Sequence, residues 1–111
     1  MRPYEALRGD AEFARLRRRG RRSDGTHVAI VAAPVSPGRR PRIAIVTAKG
    51  LGDAVDRNRA RRRLRAALAG FDLAAGGHDM IFTARSSATT VDFPRLCEDL
   101  RATLGRLQAR R

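Results

Sequence analysis

Lys49 to Leu68 reads KGLGDAVDRNRARRRLRAAL, and the fold turns on how this stretch is arranged. Gly50 and Gly52 break the chain, and Asp53 with Asp56 three residues later supplies an acidic N-terminal cap for a helix. Ala60, Leu64, Ala67, Leu68 and Phe71 then recur at helical spacing on one stripe, predicting a helix to about Gly70 whose apolar side packs on a sheet. The opposite arc is basic. Arg61 and Arg65 line one edge of it with Asn58 and Arg62 beside them, Arg59 and Arg63 continue it around the helix, and Arg57 lies near the apolar meridian in the first turn. Like charges four residues apart cost a helix a few tenths of a kcal/mol per pair, a cost that a polyanionic partner removes.

Apolar strand-like runs flank this helix. His27 to Ala33 (HVAIVAA) and Arg42 to Ala48 (RIAIVTA) are β-branched segments separated by the turn-rich Pro34 to Pro41, and they read as an antiparallel strand pair, with a short strand at Arg21 to Ser23 before them. Asp10 is placed to cap a first helix that carries Phe13 and Leu16 and stops at Gly20. After the central helix, Gly76 and Gly77 lead into a strand at His78 to Ala84 (HDMIFTA). Asp92 then caps a last helix with Leu96, Cys97, Leu100, Leu104 and Leu107 on one side. The expected order is αβ(β)βαβα, a two-layer α/β (α+β) sandwich without internal repeats.

The chain has 111 residues, enough for one compact domain spanning 1–111, and its 42% hydrophobic and 32% charged residues suit a globular protein. The formal net charge is +13, and Lys49 is the only lysine. So basic a body attracts polyanions. Arginine offers a planar fork of donors to phosphate and a flat surface to bases, although composition by itself does not choose RNA over DNA. No run approaches the roughly 18 apolar residues of a membrane helix. The opening MRPYEALRGDAEFARLRRRG lacks the apolar core of a secretory signal, so a cytoplasmic, membrane-free protein is expected. Cys97, the single cysteine, reads as a small apolar residue on a helix.

Candidates for protein-borne catalysis are sparse. RNA cleavage by side chains usually needs an acid and base pair or carboxylates gathered around metal ions. His27 and His78 open separate strands, and Asp10, Asp53 and Asp92 are accounted for by capping. There is no His/Cys spacing for zinc and no Walker-type glycine loop. The strongest local signal is DRNRARRRLR, Asp56 to Arg65, and a bare charge run of this kind is usually a solvated helix face or a nonspecific phosphate-binding surface. Asn58 interrupts it with both a donor and an acceptor, which phosphate binding does not require.

The stretch from Lys49 to Leu68 resembles the signature of the bacterial ribonuclease P protein component: Gly52, Ala54 and Val55 precede the core Arg57, Asn58 and Arg59, and Arg61, Arg62 and Arg65 follow. The opening LRGDAEFARLRRRG is similar to that family's first helix, with Phe13 at its aromatic position, and MIFTARSSA is similar to its last strand and exit, with Arg85 at a basic position. The resemblance implies an α/β sandwich with a left-handed βαβ crossover and two RNA-facing surfaces. Arg57, Asn58, Arg59, Arg61, Arg62 and Arg65 would contact the catalytic RNA. Phe13, Arg17, Lys49 and Arg85 would belong to a cleft for the 5′ leader of precursor tRNA, with core packing under the first helix as the other reading of Phe13. Catalysis would lie in the RNA, with Mg2+ bound through that RNA and no cofactor or obligate protein partner of this chain's own. The chain departs from the family at Arg17, where a second aromatic is frequent, at Val28 and Val31, where aromatics occur on the first long strand, and at Gly50 and Asp53, where lysine and asparagine are usual. Two further classes stay in view, a structural RNA-binding protein such as a small ribosomal protein and an autonomous nuclease. Ribosome co-sedimentation would mark the former, and cleavage of precursor tRNA by RNA-free protein the latter.

Overall fold

The computed structural model describes residues 5–35, 39–73 and 77–109. In chain order these form β1 (Glu5–Ala6), α1 (Asp10–Arg19), β2 (Arg21–Asp24), β3 (Val28–Pro34), β4 (Arg42–Thr47), α2 (Ala54–Leu68), β5 (His78–Ala84), a 3₁₀ turn (Ser86–Thr89) and α3 (Phe93–Ala109). The strands make one five-stranded sheet in the order β1-β4-β5-β3-β2. The mixed α/β architecture and the helix and strand order expected from the sequence are present, with β1 as an addition.

The strand pairing corrects one expectation. β3 and β4 are not neighbours, because β5 lies between them, antiparallel to β3 and parallel to β4. Two features of the sequence explain this. The connection from Pro34 to Pro41 is too long for a tight hairpin and its prolines lack ladder donors. The run Asp79 to Phe82 is buried on both faces of the sheet, which suits a central strand and not an edge. The parallel β4 and β5 need a long crossover, and α2 supplies it.

Alternation along the strands sends two sets of side chains to two cores. Val28, Ile30, Ala32, Ile43, Met80, Phe82 and Ala84 meet Ala60, Leu64, Ala67 and Leu68 of α2 and Leu96, Leu100, Leu104 and Leu107 of α3. On the other face, Val31, Ala33, Ala44 and Ile81 meet Leu7 and Leu16, with Phe13 and Val46 packed against them. The helix stripes read from sequence are therefore the buried faces, and Cys97 is a half-buried residue packed on the larger core.

The capping expectations divide. Asp53 accepts from the Asp56 amide at 2.9 Å and the Asp56 carboxylate accepts from the Asp53 amide at 3.4 Å, a reciprocal capping box that starts α2. Asp10 does not cap α1: Gly9, with φ 92°, occupies the cap position, and Asp10 is the first helical residue without a side-chain cap bond. Gly20 stops α1 as expected, its amide donating to the Leu16 carbonyl. A Cβ there would lie 2.5 Å from that carbonyl oxygen and 2.6 Å from Val31 Cγ1, so only glycine lets α1 turn this tightly into β2.

Candidate nucleic-acid interface

The outward side of α2 is a strongly basic surface. Asn58, Arg59, Arg62 and Arg65 are exposed and Arg57 and Arg61 half-buried. Asn58, Arg61, Arg62 and Arg65 together with Val55 line an open concavity of about 590 Å³. Two of these side chains are held in place. Arg61 Nη2 donates to Asn58 Oδ1 at 2.7 Å, and Arg57 Nη1 donates to the Gly52 carbonyl at 3.0 Å, which draws Arg57 back across the first turn. The structure thus gathers four of the six expected α2 residues around one concavity, with Arg57 and Arg59 to either side on the same helix.

Arg63 departs from its expected place on the basic arc. It is half-buried and donates to two backbone carbonyls, Ala88 at 2.7 Å and Val91. These carbonyls belong to the 3₁₀ turn and the approach to α3. Arg63 is therefore a staple between α2 and the chain that follows β5, not part of the outward basic face.

A second surface lies on the opposite face of the sheet. α1 packs over β3 and β5 through Leu16, and beside it Val46 and Thr83 form a half-exposed strip. Phe13 is half-buried against this core, and the Arg17 guanidinium stands 5.6 Å from the centre of its ring. Phe13 thus has one side against the core and one toward the surface beneath Arg17. Lys49 and Arg85 follow the ends of β4 and β5, which are in register through Thr47 and Ala84, so both sit at the same end of the sheet. Lys49 is exposed, and Arg85 donates to Asp24 Oδ1 at 2.9 Å. Of the two strand positions where an aromatic is absent, Val31 faces α1 but Val28 is in the opposite core, away from this surface.

An unanticipated cluster fixes α1 to the sheet. Asp79 has a fully buried carboxylate that accepts from Arg15 Nη2, from Arg39 Nη2 and from the Arg42 amide, each at 2.8 Å. Glu12 extends the network to Arg15 and Arg42 at 3.3 and 3.2 Å. Hydrogen bonds to Glu12 and then to Asp79 raise the Arg15 pKa above the ordinary arginine value. The only sequence hint was a carboxylate opening an apolar central strand, which has to be paired once buried.

The histidines do not form a couple. His27 precedes β3 and His78 opens β5, and the antiparallel register puts them at opposite ends of the sheet, with His27 Nδ1 2.7 Å from Ser87 Oγ. Among the described residues no group of three or more His, Cys, Asp and Glu side chains is arranged to hold a metal ion, and no helix is long and apolar enough to cross a membrane.

The family model for Ribonuclease P matches residues 1–108. The ribonuclease P protein component of Roseiflexus castenholzii is 42% identical over 92 residues, covering 81% of this chain and 75% of the relative. That of Chloroflexus aurantiacus is 35% identical over 106 residues, covering 94% and 78%. Two solved structures share the fold. The Staphylococcus aureus ribonuclease P protein has a TM-score of 0.75 at 21% identity, over 91% of this chain and 93% of that one. The Thermotoga maritima protein has a TM-score of 0.72 at 22% identity, over 96% and 98%. With the arginine-bearing crossover helix, the five-stranded sheet and these matches together, the chain belongs to the ribonuclease P protein family.

Proposed function

We propose that this protein is the cytoplasmic protein subunit of ribonuclease P, binding the catalytic RNA through Arg57, Asn58, Arg59, Arg61, Arg62 and Arg65 of α2 and the 5′ leader of precursor tRNA through the cleft bounded by Phe13, Arg17, Lys49 and Arg85. The observation that carries this reading is the exposed arginine face of α2, opposite the stripe that packs on the sheet, in a chain of this family. Guanidinium groups bind phosphates with charge-assisted hydrogen bonds, and rings or guanidinium planes stack on splayed bases. The two surfaces lie on opposite faces of one sheet, so one body can hold the catalytic RNA and the leader at once. Mg2+ bound through the RNA subunit would supply the hydrolytic chemistry, and this chain's side chains would position and neutralise phosphates.

The test is cleavage of a precursor tRNA by a bacterial ribonuclease P RNA at low magnesium, with RNA alone, protein alone and both together. Cleavage that requires both is expected. Cleavage by the protein alone would move catalysis into this chain, and no stimulation by the protein would remove the subunit reading.

A further inference from the structure

Val55 is out of place for a phosphate-binding surface. It is 72% exposed, the most exposed large apolar side chain among the described residues. It precedes Leu64 by nine residues, two and a half helical turns, and so stands on the opposite side of α2 from the core. It nevertheless lines the concavity shared by Asn58, Arg61, Arg62 and Arg65. Asn58 is equally unsuited to bare charge neutralisation. Its Oδ1 accepts from Arg61, which turns that oxygen toward its own helix and leaves both donors of its amide group for a partner.

An apolar side chain, an amide donor and three guanidinium groups that line one concavity have different chemical complements. Phosphates suit the arginines, the edge of a base carries acceptors for the amide, and a flat base suits the valine. A regular RNA duplex buries its bases and shows mainly phosphates and 2′-hydroxyls, whereas an unstacked nucleotide shows all three groups at once.

From this we infer that the concavity on α2 receives one unpaired nucleotide of the partner RNA, its base lying on Val55, its edge accepting from the Asn58 amide, and its flanking phosphates held by Arg61, Arg62 and Arg65. This deepens the subunit reading above and rests on it. Val55 then contributes affinity that does not depend on salt, because burying it releases no counterions, while each arginine contributes to the salt slope.

The experiment measures binding of the full chain to a bacterial ribonuclease P RNA across a salt series, for wild type, Val55→Ala, Val55→Ile and Arg62→Ala, with chemical probing of nucleotide flexibility in each complex. Val55 makes no core contact, so its variants keep the fold. Val55→Ala should bind about tenfold more weakly with an unchanged salt slope, from the loss of two buried methyl groups. It should also re-expose one nucleotide that the wild type protects, and Val55→Ile should bind as tightly as wild type. Equal binding by Val55→Ala, with no nucleotide changing its reactivity while Arg62→Ala lowers both affinity and slope, would overturn the pocket and leave α2 a phosphate-binding surface. If the wild type prefers this RNA no more than another structured RNA of equal length, the subunit reading itself fails.

Discussion

Arg15 Nη2 stands 2.8 Å from Oδ2 of Asp79, whose side chain is completely buried, and this contact ties α1 to the central strand of the sheet. The two partners are not equivalent. Removing Arg15 leaves Asp79 with Arg39 and the Arg42 amide. Removing Asp79 takes an acceptor from the Arg42 amide and from two half-buried guanidinium groups at once, of which, among the described residues, only Arg15 keeps a second partner, Glu12. Asp79→Ala is therefore expected to cost about 2–4 kcal/mol and Arg15→Met about 1 kcal/mol, measured by denaturant unfolding. Equal losses would show that Arg39 does not share the load. The raised Arg15 pKa means that its stabilisation is complete below the unfolded value and lost only as pH climbs through the folded one, above the ordinary arginine range. The difference in stability between wild type and Arg15→Met that stems from the arginine's own titration should stay constant between about pH 6 and pH 10.

Arg63 gives the opposite kind of prediction from its neighbours. Its guanidinium satisfies the Ala88 and Val91 carbonyls, so Arg63→Ala should destabilise the fold by about 1–3 kcal/mol and leave the salt slope of RNA binding unchanged. Arg63→Lys should recover only part of the loss, because an ammonium group lacks the planar fork that reaches two carbonyls. A lowered salt slope in Arg63→Ala would return this residue to the RNA-facing arc.

The contrast between Arg62 and Arg63 shows what sequence could and could not supply. Periodicity located α2 and its buried stripe, because burial on a helix leaves a 3.6-residue signature in the choice of apolar residues. It placed Arg63 on the basic arc, but that position also borders the stripe, where the outcome depends on which carbonyls lie opposite, and these come from a segment 25 and 28 residues away. The same limit applies to the strand order. Pro34 to Pro41 marks a turn but does not say that β5 will be inserted between the strands on either side of it, and Asp79 looks like a strand-opening polar residue until Arg15, Arg39 and Arg42 converge on it. Local signals such as the Asp53 and Asp56 capping box and the stop at Gly20 were legible because every partner lies within one turn.

Leu64 and Arg62 separate scaffold from contact. Leu64 is fully buried between α2 and the sheet, so Leu64→Ala should lower stability by about 2–5 kcal/mol. Arg62 is exposed, and Arg62→Ala should leave stability within about 0.5 kcal/mol of wild type while reducing the salt slope of RNA binding by about 0.7–0.9, the contribution of one phosphate. An unchanged slope would show that Arg62 touches no phosphate.

Phe13 serves two environments, and a single well-chosen substitution distinguishes them. One side of its ring packs on the core that holds Leu16 and Ile81, and the other lies beneath the Arg17 guanidinium at the surface. Phe13→Ala would lose packing and stacking together and would be uninformative. Phe13→Leu keeps most of the apolar volume, so stability should fall by less than about 1.5 kcal/mol. It removes the π face on which a base can stack, a contact worth about 1–3 kcal/mol per base. With the holoenzyme reconstituted, Phe13→Leu should weaken binding of a precursor tRNA carrying a leader by about fivefold or more and leave binding of mature tRNA, which has none, unchanged. Equal effects on both RNAs would place Phe13 in the scaffold and move leader recognition to the charged residues Arg17, Lys49 and Arg85.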